Sequence, residues 1–212
     1  MLKVNNVNVY GLENAVICSR YPMVTDVEKF RECLSGEDYL KAEKVACNLS
    51  NTGGGEAHDQ WLTGITVTFD VTASLQWWPE AQRYKFLNFI SSTSKMHKLS
   101  KMEISSCCNE YVSRTAIYNA ELWQEQFQKA QIRHKEGLIT KEELNEAFYS
   151  MIYNIPLGFE LTAGMITNYR CLRNIYRQRR KHRLQEWQVF CDWIETLPEA
   201  DKYITVGLKK DE

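Results

Sequence analysis

Positive charge is concentrated in one stretch, Asn168-Tyr169-Arg170-Cys171-Leu172-Arg173-Asn174-Ile175-Tyr176-Arg177-Gln178-Arg179-Arg180-Lys181-His182-Arg183. Guanidinium groups bind phosphate oxygens through paired hydrogen bonds, so such a run has the chemistry to hold a phosphorylated ligand. On a helix, Arg170, Asn174 and Arg177 share one row, and Arg173, Arg177 and Arg180 form a neighbouring row that points elsewhere. The same residues would serve a solvated helix face paired with Glu160, Glu186 and Glu195, or a nucleic-acid surface. A second basic group, Arg83-Tyr84-Lys85, follows the aromatic pair Trp77-Trp78 and leads to Ser91-Ser92-Thr93-Ser94-Lys95-Met96-His97-Lys98. Hydroxyls and backbone amides can donate to a phosphate while lysine supplies charge, although a plain serine-rich loop explains this segment equally well.

Other chemistries find little support. The seven cysteines form an odd set with no CxxC spacing, unlike a disulfide framework or a zinc module, and no metal site is expected. Adjacent Cys107 and Cys108 have no histidine or positive setting nearby in sequence to activate a thiol. Asn51-Thr52-Gly53-Gly54-Gly55 lacks the Gly-Lys-Ser/Thr ending of a phosphate-cradling loop and is expected to be a turn. The phrase GLITKEELNEAF is not preceded by the acidic loop that calcium needs.

The elements that must position these groups follow from local pattern. Val4–Val9 is expected to be a short edge strand ending at Gly11, and Thr66–Val71 a strand with Val67, Phe69 and Val71 on one face. Helices are expected over VEKFRECL and EDYLKAEKVACNL, from about Pro79 to Ile90, and from Ala116 to His134, with Gly137 closing the last. Thr140 and Glu143 form a capping box opening a helix through Met151. Leu161 to about Arg183 is expected to be one long helix, and Leu184 to Leu197 another, ended by Pro198. Trp77, Trp78 and Met96 are assigned to packing.

At 212 residues the chain is expected to be a single domain over 1–212. A net charge of −1 argues against whole-surface attraction to nucleic acid or membrane, so any anion site must be local. No run approaches a membrane span, the start lacks the apolar stretch of a signal peptide, and free cysteines suit a reducing cytoplasm. The Asn48-Leu49-Ser50 sequon would matter only in a secreted protein.

The two basic groups, in this order, resemble the flavin-dependent thymidylate synthase family, ThyX. That family carries a strand, then R-H-R-x-x-S-x-N-x-x-S-x-R-Y, and later a helix supplying asparagine and arginine to the flavin. Laid from Arg83 to Met96, the motif keeps its first arginine and is replaced conservatively at Lys85, Thr93 and Lys95. Tyr84 stands for histidine, Asn88 for serine, Ile90 for asparagine and Met96 for tyrosine. Ile155-Pro156-Leu157 and Thr167–Arg179 are similar to the family's L-P-L and V-N-x-R-x-L-x-N-F-x-x-L-R, with Asn168, Arg170, Asn174 and Arg179 in register. Trp187 lands near the family's Q-W. His58 falls where the family places a flavin-contacting histidine. The degraded signature resembles a divergent, phage-type member, and the similarity covers roughly His58–Leu99 and Ile155–Trp187.

This resemblance implies an α/β (α+β) fold, an antiparallel or mixed sheet packed with several long helices, in a homotetramer whose sites bind FAD and dUMP. It implies that His58, Arg83, Lys85, Asn168, Arg170, Asn174 and Arg179 would contact the cofactor, and that Ser92, Thr93, Ser94 and Lys95 would cradle the nucleotide phosphate. No protein nucleophile is implied. Lysine keeps charge but loses the bidentate fork, and catalysis depends on orientation, so the expected function is nucleotide or flavin binding with activity altered or lost. A phage accessory protein that sequesters or senses a nucleotide would fit. An active FAD-dependent thymidylate synthase or related pyrimidine-nucleotide enzyme is the alternative, and a nucleic-acid or protein interaction module the second.

Overall fold

The computed structural model describes residues 1–52 and 58–207, so the expected Gly53-Gly54-Gly55 turn and the end of the tail lie outside the described residues. The elements run β1 (Lys3–Tyr10), α1 (Leu12–Cys18), α2 (Val27–Glu32), α3 (Gly36–Asn51), β2 (Thr66–Ser74), α4 (Trp78–Ala81), β3 (Asn88–Ser92), α5 (Lys95–Lys98), α6 (Arg114–Lys135), α7 (Lys141–Tyr153), β4 (Glu160–Asn168), α8 (Tyr169–Arg179), α9 (Gln185–Glu195) and α10 (Ala200–Tyr203). This mixed α/β content with an antiparallel sheet bears out the fold class expected from the resemblance.

The sheet order is β1-β2-β4-β3, so β1 and β3 are its edges. In β2, buried Val67, Phe69 and Val71 alternate with half-buried Thr66, Thr68 and Asp70, as the sequence pattern requires. The Leu75 amide donates to the Phe159 carbonyl at 2.9 Å, and the Tyr169 amide to the Ile65 carbonyl at 3.1 Å. These contacts, with the Thr72 and Thr162 hydroxyls 2.7 Å apart, fix one antiparallel register of β2 against β4.

Two expected helices are corrected. Leu161 to Arg183 is not one helix: Glu160–Asn168 is a strand, with Ala163, Met165 and Thr167 buried in alternation, and a helix follows. Leucine, alanine and methionine favour helices locally, but pairing with β2 overrides that preference. From Pro79 the helix lasts a single turn, Trp78–Ala81, and Asn88–Ser92 is instead a strand. The helices over α2 and α3 and the edge strand β1 form as expected.

The described residues form two compact units, to which β2 and β4 each contribute. The first comprises Met1–Lys3, Val71–Arg83 and Ile90–Gly164. Its core gathers Leu99, Ile104, Ala120, Phe127, Met151 and Phe159, with α6 packed on α7. The capping box that opens α7 is present in both directions: the Thr140 amide donates to Glu143 at 2.7 Å, and the Glu143 amide to the Thr140 hydroxyl at 3.2 Å. Trp77 and Trp78 are buried edge to face, as assigned to packing. Met96 is not: it is 55% exposed at the start of α5, too short an element to cover it.

The second unit comprises Val4–Asp70, Tyr84–Phe89 and Met165–Glu212. Phe69 of β2 meets Phe190 and Trp193 of α9, and Trp187 packs against Phe190. This aromatic layer holds α9 in place beside α8.

Candidate functional site

The sequence of α8 explains how its polar side chains are presented. Asn168 is the N-cap, its side-chain oxygen accepting from the Cys171 amide at 2.9 Å. The apolar stripe of Leu172, Ile175 and Tyr176 is buried, which leaves Asn174, Arg177 and Gln178 exposed and Arg170 and Arg179 half-buried.

Arg170 donates through Nε to Asp59 at 3.0 Å and through Nη1 to the Gln60 side chain at 2.6 Å. Arg173, counted in sequence with the neighbouring basic row, is only 1% exposed. It donates to the backbone carbonyls of Tyr203, at 2.8 Å, and of Ser50. Burial lowers its pKa to about 10, and Arg177 acts in the same direction. Arg173 is therefore an internal tie, still cationic at neutral pH, and the basic run is not simply a solvated face.

Arg179 lies against two rings, its guanidinium carbon 4.9 Å from the Trp187 centroid and 5.7 Å from that of Tyr84. Its Nε donates to the Tyr84 hydroxyl at 2.8 Å, that hydroxyl donates to Gln178 at 3.0 Å, and Gln178 Nε2 donates to Asn174 at 3.0 Å. Burial raises the Tyr84 pKa, with Arg179 pulling the other way, so the phenol stays protonated. Gln178 and Arg179 thus meet Tyr84, a residue that the motif comparison marks only as a departure, and Asn174 joins them through Gln178. The four-residue spacing of Asn174 and Gln178 was a local signal for their pairing. Lys85 is exposed, with its ammonium 5.8 Å from the Phe86 ring centroid, and His58 is exposed in the turn before Asp59.

In the first unit Arg83 is exposed beyond α4, and Ser92 ends β3. Thr93 is committed to the sheet: its amide donates to the Thr162 carbonyl at 2.9 Å, and its hydroxyl accepts from the Thr162 amide at 3.2 Å. Its hydroxyl also donates to the Thr162 carbonyl at 3.3 Å. Ser94 precedes α5 without a side-chain capping bond, and Lys95 opens that turn.

Among the described residues, no group of three or more His, Cys, Asp or Glu is placed to hold a metal ion, and no helix is long and apolar enough to cross a membrane. Burial pushes the Cys108 thiol up to about 11, with Cys107 adding to the effect, so it is no activated nucleophile.

The chain has a ThyX-like fold. It is similar to flavin-dependent thymidylate synthase ThyX from Helicobacter pylori, whose crystal structure complexed with FAD and dUMP is 18% identical, with a TM-score of 0.64 over 95% of this chain and 97% of that one. A UMP/dUMP methylase, PolB, from Streptomyces cacaoi, solved with 5-Br dUMP, is 15% identical, with a TM-score of 0.61 over 98% of this chain and 93% of that one. No family model matches the sequence, and no curated protein matches it.

Proposed function

We propose that this protein binds a nucleotide, a flavin or both through basic side chains, as a single ThyX-like domain over its 212 residues, with catalytic activity altered or lost. The observation that carries the proposal is Arg179, fixed between Tyr84 and Trp187 on the helix that also bears Arg170 and Asn174. A guanidinium held against aromatic faces keeps a fixed plane, and a planar fork in a fixed orientation suits recognition of an anion. In this reading Asn168, Arg170, Asn174 and Arg179, with His58, Arg83 and Lys85, hold the flavin, and Ser92, Thr93, Ser94 and Lys95 hold the nucleotide phosphate.

The fold likeness supports the ligand class, because the similar proteins were solved with FAD and dUMP or with 5-Br dUMP. Lysines at positions 85 and 95 cannot form the planar fork that orients a phosphate, which supports retained affinity with weakened chemistry. A cytoplasmic homotetramer, and a phage-type role in sequestering or sensing a nucleotide, complete the proposal; solution mass tests the assembly.

The visible spectrum of the purified protein, followed by analysis of small molecules released on denaturation, identifies what it carries. Calorimetric titration with FAD and with dUMP then compares the native chain with Arg170→Ala and Arg179→Ala. Loss of binding with cooperative unfolding retained is expected; normal binding by both variants would place the site elsewhere. Turnover of dUMP with bound flavin would instead establish the enzyme alternative.

A further inference from the structure

We propose that Tyr84 is a positioning residue that sets the direction of a hydrogen-bond relay, turning the Asn174 amide so that it offers N–H donors to an acceptor oxygen of the ligand. The inference rests on reading α8 as the ligand-binding helix and adds the polarity of its outer end.

The direction follows from what each group can do. Arginine only donates, so the Tyr84 hydroxyl must accept from Arg179 Nε at 2.8 Å. The phenol has one hydrogen, and its second contact, at 3.0 Å, is the Gln178 side-chain oxygen, which must accept it. With that oxygen engaged, Gln178 turns its NH2 group toward Asn174, 3.0 Å away, and Asn174 must meet it with its oxygen. The Asn174 NH2 then faces outward from an exposed position. A donor-only residue at one end of the chain thereby sets the polarity of an amide at the other.

The consequence is a chemical preference. An N–H donor at Asn174 recognises a carbonyl or phosphate oxygen and rejects a ligand donor at the same point. Tyr84 is well placed for the task because it is buried, with its ring 5.8 Å from that of Trp187. Tyr84→Phe keeps the ring and removes only the hydroxyl.

Two measurements on the intact protein decide the matter. Side-chain nitrogen NMR should show an Arg179 Nε–H slow to exchange with solvent in the native chain, exchanging at least about tenfold faster in Tyr84→Phe. A double-mutant cycle with dUMP and FAD as probes reads the consequence. Tyr84→Phe is expected to weaken binding by about threefold to tenfold in the native background, and by under about twofold when Asn174 is already alanine. Equal losses in both backgrounds, or an Arg179 signal unchanged by Tyr84→Phe, would overturn the proposal. If the native chain binds neither probe, the nucleotide reading of α8 fails, and the exchange measurement still decides the relay.

Discussion

Arg173 donates to the carbonyl of Tyr203 at 2.8 Å, and with its other terminal nitrogen to the carbonyl of Ser50, near the end of α3. Carbonyls in the last turn of a helix lack an intrahelical donor and carry partial negative charge, so a buried cation there satisfies two needs at once.

Arg173→Leu leaves both carbonyls without that donor and should cost on the order of 3 kcal/mol of stability. Arg173→Lys, lacking the fork, should recover only part of it. Urea unfolding measures both; a loss below about 0.5 kcal/mol for the leucine variant would refute the internal tie.

Gly11 has φ +80°, and a Cβ there would lie 2.6 Å from the backbone carbonyl oxygen of Gly64. Gly11→Ala therefore combines an unfavourable left-handed conformation with a clash against backbone, and a loss of about 2–4 kcal/mol is expected. Gly36→Ala is the control: nothing lies within 4 Å of its Cβ, and it should be neutral or slightly stabilising in the same assay.

Thr140→Ala removes the oxygen that accepts from the Glu143 amide at 3.2 Å. About 1 kcal/mol should be lost, with faster amide exchange confined to the first turn of α7. Exchange unchanged in that turn would show the cap to be idle.

Alkaline stability tests the buried thiols. Burial raises the Cys191 pKa from 9.0 to about 12, so on unfolding the thiol ionises at a lower pH than it does when folded. The unfolded chain then binds fewer protons, and stability present below about pH 9 must fall as pH rises toward 12. Cys108, raised to about 11, and the buried Tyr169 and Tyr203, also raised, act with the same sign. Cys191→Ala should flatten this decline, read as the urea midpoint against pH; an unaltered slope would refute the assignment.

Asp59 competes with any anion for Arg170, at 3.0 Å. Asp59→Asn should change stability by less than about 1 kcal/mol, since the pair is partly exposed. If Arg170 is a ligand-binding residue, the same variant should tighten FAD or dUMP binding by about twofold to fivefold, measured by calorimetry. Unchanged affinity would count against Arg170.

Some of the architecture is legible one segment at a time. The alternation of Val67, Phe69 and Val71 identifies β2 because one face of that strand is buried and the other is not. Thr140 and Glu143 announce the start of α7 because a capping box is complete within four residues. Asn168 was a comparable signal, a good N-cap residue in the middle of a supposed helix, and it marks where β4 gives way to α8.

The sequence by itself determined elements such as β2 and α7, the two basic groups and the resemblance that links them, since each depends on residue type and near-neighbour spacing. Tertiary structure alone decided that residues 160–168 are a strand, because Leu161, Ala163 and Met165 favour a helix until β2 offers a ladder. It also decided the fate of individual charges. Arg173 and Arg179 are the same residue type on the same helix, yet one is enclosed by backbone carbonyls and the other is held against aromatic rings. Surroundings assembled from distant parts of the chain set what a guanidinium can bind, and spacing along one helix carries no record of them.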